Sequence, residues 1–233
     1  MKKCLLVVFC LGMVVGLSLS ALAGGIEVTG GYLLGNYDFS GLMEAKANGF
    51  VVSGEMPITG PIGAKVNFAS ISGKDFKVGA IQVPDGVFDM EVSRIDLLAT
   101  YALPLSLPGG ASLRALCGYS MTTTNSTQPD EFGDPYTIEA KTNGFLVGAE
   151  GKFAVMDKLT VSGEFGMGFG MKMKAAGFAD SDMGLTIWRV SAAYQIMDNI
   201  SAEVGYLSNK FTEDASNLDQ TTSGFYVGAR ASF

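Results

Sequence analysis

The chain has 233 residues and a 48% hydrophobic composition, enough for a substantial folded core. Its 16 basic against 23 acidic residues give a formal net charge of −7, which makes it a poor candidate for binding nucleic acid. It contains no histidine, which excludes Ser-His-Asp triads, Cys-His dyads and histidine metal sites.

The N-terminus reads Met1-Lys2-Lys3, then an apolar run from Cys4 to about Leu19, then Ala21-Leu22-Ala23 before Gly24. A basic start, an apolar centre and a small-residue cleavage site predict a secretory signal peptide over residues 1–23, with one mature domain over 24–233. Cys4 and Cys10 would leave with it, so Cys117 has no partner for an intramolecular disulfide. On its apolar strand face, Cys117 reads as a small buried or lipid-facing hydrophobe. Loss of Lys2 and Lys3 leaves 14 basic against 23 acidic residues, a net charge of −9. No later segment is apolar for long enough to cross a bilayer as a helix.

From Gly24 onward, runs of period two predict ten strands: Ile26–Asn36, Asn48–Pro57, Ile62–Ser70, Ser93–Leu103, Ala111–Met121, Thr142–Val155, Leu159–Met171, Gly184–Ile196, Ile200–Lys210 and Thr222–Phe233. Eight is the alternative count if the run near Ile62–Ser70 is loop. Short connections carrying Pro, Gly, Asp or Asn (Ile58–Pro61, Pro104–Gly110, Met156–Lys158, Met197–Asn199) alternate with long ones at Tyr37–Ala47, Ile71–Val92, Thr122–Lys141, Lys172–Met183 and Phe211–Thr221. Three segments align without gaps: Asn48-Gly-Phe-Val-Val-Ser-Gly-Glu55, Asn143-Gly-Phe-Leu-Val-Gly-Ala-Glu150 and Ser223-Gly-Phe-Tyr-Val-Gly-Ala-Arg230. Each opens a strand that follows a long connection, so the unit is a reused hairpin and not a solenoid repeat.

The last strand puts Phe225, Val227, Ala229, Ala231 and Phe233 on one face and Tyr226, Gly228, Arg230 and Ser232 on the other, and it ends on phenylalanine. Here the sequence resembles the outer-membrane β-barrel proteins of Gram-negative-type bacteria. The resemblance implies an all-β fold, an antiparallel up-and-down transmembrane β-barrel, in the bacterial cell outer membrane. It also implies that Phe225, Val227 and Phe233 form an assembly signal read by the barrel-assembly machinery. The surroundings it implies are outer-membrane lipids and lipopolysaccharide, with a monomer as the expected state. Short turns on one rim and long loops on the other fit that architecture, as do strands of ten to twelve residues. A soluble sandwich shares the alternation, but not the strand length, the loop asymmetry or the terminal phenylalanine.

One strand face is apolar: Ile95, Leu97, Ala99, Tyr101 and Leu103 in one strand, and Leu159, Val161, Gly163, Phe165, Met167, Phe169 and Met171 in another. Aromatics at its ends form two belts, Phe50, Phe145, Trp188 and Phe225 toward the long-loop rim and Tyr101, Phe153, Tyr194 and Phe233 toward the other. The opposite face carries six acids, Glu27, Glu55, Asp96, Glu150, Glu164 and Glu203, and six bases, Lys65, Arg94, Arg114, Lys152, Arg189 and Arg230. Balanced charges in a narrow barrel can pair across strands, so the polar lumen is expected to be largely filled by ion pairs. Gly166, Gly168 and Gly170 on this face leave some room toward the long-loop end.

The expected function is non-enzymatic: a structural or surface-interaction barrel whose outward loops, Ile71–Val92 and Thr122–Lys141 above all, could take an extracellular ligand. The alternative is a narrow passive porin-like channel for small solutes or ions, with the lumen charges setting selectivity. Ten-stranded outer-membrane proteases are similar in strand count but use a histidine-containing site, which this chain lacks. Glu213–Asp214 and Asp130–Glu131 read as solvated acidic surface. The acidic loop residues Asp85, Asp89, Glu91 and Asp130 to Asp134 match no EF-hand spacing, so no metal site is assigned. The run Gly166-x-Gly-x-Gly170 lies within a strand and is no nucleotide fingerprint. No cofactor is expected.

Overall fold

The computed structural model describes residues 25–233 except 85–86, 106, 108–109, 130–132, 176, 178 and 214–217. The proposed signal peptide, Asp85, Asp130, Glu131 and Asp214 therefore lie outside the described residues. The strands are β1 (Glu27–Phe39), β2 (Met43–Thr59), β3 (Ile62–Val78), β4 (Ile81–Gln82), β5 (Asp89–Ala102), β6 (Ser112–Pro129), β7 (Pro135–Met156), β8 (Leu159–Ala175), β9 (Ser181–Met197), β10 (Ile200–Glu213) and β11 (Asp219–Ser232). Ten of them form one antiparallel barrel, and β4 is a two-residue addition hydrogen-bonded to the upper end of β3. The eight-strand alternative fails because β3 is a full wall strand, paired with β2 on one side and β5 on the other.

The barrel closes between its first and last strands. All thirteen residues of β1 pair with β11, from Glu27↔Ser232 to Phe39↔Gln220. The termini meet at the short-turn rim, where Gly25 N donates to Phe233 O (2.9 Å) and Phe233 N to Ile26 O (2.8 Å). A closed ladder leaves no edge, the condition for a sheet to sit in hydrocarbon.

The ten strands fall where their alternation puts them, but they run longer at the other rim. Most of each expected long loop is strand: β7 has 22 residues and β6 has 18, although about ten span a bilayer. The polar stretch Thr122–Gln128 reads as loop by composition. In the structure it is held by the unbroken register of β6 with β7, from Ser112↔Lys152 to Pro129↔Pro135.

Two β-bulges reset the alternation. The registers shift at Asp75 on β3 and Gly170 on β8, where φ is +54° and +59°. Gly170 adopts this left-handed conformation at no steric cost, whereas Asp75 is the uncommon non-glycine case. The residue after each bulge turns inward: Phe76 and Met171 are 2% and 1% exposed. This corrects the outward placement of Met171, since alternation counted through Gly170 is one residue out of phase. It also corrects the room expected beside the glycines. A Cβ on Gly168 would lie 2.7 Å from Leu185 and 2.9 Å from Met171, and Gly170 itself sits exposed at the bulge.

The three-fold repeat has a structural meaning. Its phenylalanines pair in register with a tyrosine on the preceding strand: Tyr32 with Phe50, Tyr119 with Phe145, and Tyr206 with Phe225. Each pair is edge-to-face, with centroids 5.2, 5.7 and 5.0 Å apart, and Trp188 continues the last one at 4.9 Å from Tyr206. Such pairs contribute about 0.5–1.5 kcal/mol beyond their burial. They lie on the outward face at the upper aromatic belt, where Phe145 and Phe225 are 66% and 68% exposed.

Inside, the barrel has two storeys. Toward the short-turn rim the inward residues are charged. Above them lie two apolar clusters, one around Leu33, Tyr37, Val51, Ile71, Phe76 and Val92, the other around Leu116, Leu146, Met171, Leu185, Ile187 and Phe211. Along β9, for example, Met183, Leu185 and Ile187 precede Arg189 and Ser191 on the inward face. The lumen was expected to be polar and largely filled by ion pairs, but its upper half is packed with apolar side chains.

Candidate functional site

All twelve charges expected in the lumen are brought together in its lower storey. On alternate positions of all ten barrel strands they face one another across a narrow interior, and the ion pairs cross it. Lys65 on β3 is 2.6 Å from Glu164 on β8 and 3.2 Å from Glu150 on β7. Lys152 on β7 is 2.8 Å from Glu27 on β1 and 3.4 Å from Glu55 on β2. Three strands separate β3 from β8 on one side of the barrel and five on the other, so the Lys65–Glu164 link runs wall to wall. Arg114 pairs with Glu55 and lies 3.9 Å from Glu150. Arg230 binds Glu203 at 2.7 Å and reaches Glu27 at 3.8 Å, while Arg94 holds Asp96 at 3.3 Å. Arg189 has no carboxylate within 4 Å among the described residues; it borders the same interior space as Glu164 and Glu203.

Neutral side chains extend the lattice, while Arg94 Nη1, Glu150 Oε2 and Arg189 Nε are buried without a hydrogen-bond partner among the described residues. Tyr226 donates its hydroxyl to Glu203 (2.7 Å), Ser120 to Asp96 (2.7 Å) and Ser53 to Asn67 (2.9 Å), and Asn67 reaches Glu164 at 3.5 Å. Sequence reasoning missed these partners, although each occupies an inward position in phase with a charged one: Asn67 is two residues after Lys65, and Tyr226 four before Arg230. The space left within the lattice is about 30 Å³, which accommodates about two water molecules. Buried charges so paired and hydrogen-bonded offset much of their desolvation cost, and removing one partner strands the other. This site can hold water and fix the walls.

The remaining expected residues lie elsewhere. Phe225, Val227 and Phe233 project outward from β11 and its end, with Val227 66% exposed. Cys117 is exposed on the outward face of β6. Among the described residues no group of three or more His, Cys, Asp or Glu side chains is placed to hold a metal ion. Exposed ion pairs line the upper rim: Lys46–Asp75 (2.7 Å), Lys141–Glu139 (2.7 Å), Lys174–Asp180 (3.6 Å), Lys210–Asp219 (2.7 Å) and Lys172–Asp182.

Comparison with known proteins agrees with this geometry. No curated protein matches the sequence. Among solved structures, the outer membrane protease OmpT of Escherichia coli is 13% identical over 93% of this chain and 99% of its own, with a TM-score of 0.60. The translocator domain of the autotransporter NalP of Neisseria meningitidis is 12% identical over 95% and 92%, with a TM-score of 0.50. Neisserial surface protein A is 13% identical over 90% and 99%, at 0.43. At these identities the likeness concerns the fold. The family model for the outer membrane protein beta-barrel domain matches residues 9–195. A closed ten-stranded barrel with an apolar belt, aromatic rims and a charged interior thus belongs to the outer membrane protein beta-barrel domain family, and its place is the bacterial outer membrane.

Proposed function

We propose that this protein is a non-enzymatic, non-conducting surface barrel that anchors a raised extracellular β-platform for contact with an external partner. The observation that carries the reading is the wall-to-wall link between Lys65 and Glu164, inside a lattice with about 30 Å³ of free space and beneath two apolar clusters. A diffusion pore of the porin type takes about sixteen strands, because a ten-stranded barrel is narrow enough for side chains to fill. The platform is the continuation of β6 and β7 beyond the aromatic belt. From Phe145 to Pro135 the strand rises about 25 Å at ordinary strand geometry and tilt.

The absence of histidine in the whole chain supports the non-enzymatic reading, as does the engagement of five of the six lumen carboxylates with bases on other strands. By family resemblance, the outward Phe225, Val227 and Phe233 are the contact read by the assembly machinery, and the barrel acts as a monomer. Planar-bilayer recording of the refolded mature protein tests the closed lumen: silence from inserted protein is expected. Stable unitary conductance would overturn it in favour of a narrow channel. Shortening the hairpin between Thr124 and Ala140 should abolish binding to an external partner and leave insertion unchanged.

A further inference from the structure

Three of the chain's twelve methionines come together inside the upper storey, and the bulge at Gly170 assembles them. In phase with Phe165 and Met167, Met171 and Met173 would face lipid. The register shift between Gly168 and Met171 turns both inward, onto the side already occupied by Met183 of β9. Met171 stands directly opposite Met183, where Cβ atoms are about 4.5–5.5 Å apart. Met173 follows one inward step higher on β8, about 6–7 Å along the strand. Opposite Met183 on its other side is Glu213 of β10, a half-buried carboxylate on the same face. The sulfur of Met171 sits where two glycines make room, since Cβ atoms on Gly144 and Gly168 would lie 2.6 and 3.1 Å from Sδ. On the other side of the same two strands Lys172 pairs with Asp182 and Lys174 with Asp180 (3.6 Å), which ties β8 to β9 behind the sulfurs.

We propose that Met171, Met173 and Met183 bind one soft monovalent cation of the Cu(I) class, with the Glu213 carboxylate as its counter-charge. A thioether is uncharged and polarisable and is a poor ligand for hard, strongly hydrated cations, so three together select a soft ion over Mg(II) or Ca(II). The three rotatable bonds of each methionine let the sulfurs converge on one point from Cβ atoms this far apart. Packing alone asks for no sulfur here, because the rest of this cluster is Leu98, Leu116, Leu146, Leu185, Ile187 and Phe211. Exposure falls from Met173, half-buried at the mouth, to Met183 at 8% and Met171 at 1%. An ion arriving from outside therefore meets one thioether first and passes to the two buried ones. The site uses none of the twelve lumen charges and is independent of whether the lumen conducts.

The test is a titration of the refolded mature barrel with Ag(I), a redox-stable stand-in for Cu(I), in halide-free buffer, read by NMR of isotope-labelled methionine methyl groups. The background is Cys117→Ser, because the exposed thiol on β6 is itself a soft ligand, and Trp188 fluorescence scores insertion of every variant. The first equivalent should shift the Met171, Met173 and Met183 methyls together, ahead of the lipid-facing Met167 and Met197. Met173→Leu, which keeps the volume, should lower the affinity by more than about tenfold, measured against free methionine as competitor. Met90→Leu, in the other apolar cluster, should leave it unchanged. Glu213→Gln should lower it while the same three methyls still respond. Silver that shifts Met167 and Met197 at the same ratio as the interior three would overturn the proposal, as would native affinity in Met173→Leu. Ca(II) moving the same three methyls would also overturn it, by assigning the site to the carboxylate.

Discussion

Lys65→Met is the most informative single change. The side chain is 4% exposed, and its ammonium serves Glu164 at 2.6 Å and Glu150 at 3.2 Å. Methionine keeps the chain length and the packing but leaves two carboxylates facing each other. Glu150 then has Arg114 at 3.9 Å, whereas among the described residues Glu164 has no other base within 4 Å, only Arg189 on the neighbouring strand beyond that distance. Breaking a buried pair this way costs about 3–5 kcal/mol, and the stranding of two acids puts the expectation at the upper end. The double change Lys65→Met with Glu164→Leu removes the second buried charge and should recover at least half of that loss, because apolar replacement of a whole pair is often neutral or better. The assay is urea unfolding from vesicles, followed by Trp188, the sole tryptophan, which is 41% exposed on the lipid face. Lys46→Met, at an exposed pair 2.7 Å long, is the reference and should stay near the native midpoint. If Lys65→Met were as mild as Lys46→Met, or the double worse than the single, the interior would be hydrated enough to screen its charges, and the closed-lumen argument would fail.

Three further outcomes follow from the same geometry. Arginine at Val161, mid-belt on the lipid face, should cost about 2–4 kcal/mol, and at Thr123, outward but above the belt, about 0–1 kcal/mol; urea midpoints in vesicles would show the difference. Gly170→Ala places a Cβ in the left-handed conformation, so it should cost about 1–2 kcal/mol in the same unfolding measurement. The Asp219 carboxyl is held below the ordinary aspartate range, first by the hydrogen bond from Lys210 and then by that from Thr212. A lowered folded value means the contribution is present at neutral pH and is lost as pH falls through it. A carboxyl-carbon titration should therefore give a midpoint below that of an unperturbed aspartate, moving up in Lys210→Gln.

The strands of the membrane belt were legible because outward apolar residues alternate with small or polar ones, as in Phe225-Tyr226-Val227-Gly228. The lumen charges were legible for the same reason. The upper storey was not, because there both faces are apolar: in Tyr32-Leu33-Leu34 and Ile187-Trp188, nothing marks Leu33 or Ile187 as the inward residue. Gly170 hid its bulge in a run where every second residue is glycine. The rising strands were hidden by water. Above the belt neither face needs to be apolar, so Thr122–Gln128 carries no period, and its hydrogen-bonded partner on β7 lies beyond the reach of a local pattern.

The wall-to-wall ion pairs also bear on how the barrel comes to exist. Lys65 and Glu164 are 99 residues apart, and Glu27 and Lys152 are 125 apart. A hairpin or half-sheet placed in hydrocarbon would carry its charges without their counterparts, at several kcal/mol for each ion. The strands joined by these wall-to-wall pairs therefore each depend on a strand far along the chain before they can leave water. Partial insertion is penalised, and final commitment to the membrane coincides with the meeting of β1 and β11. The lattice that fills the lower storey of the finished barrel would thereby, during assembly, favour the complete circle over its fragments.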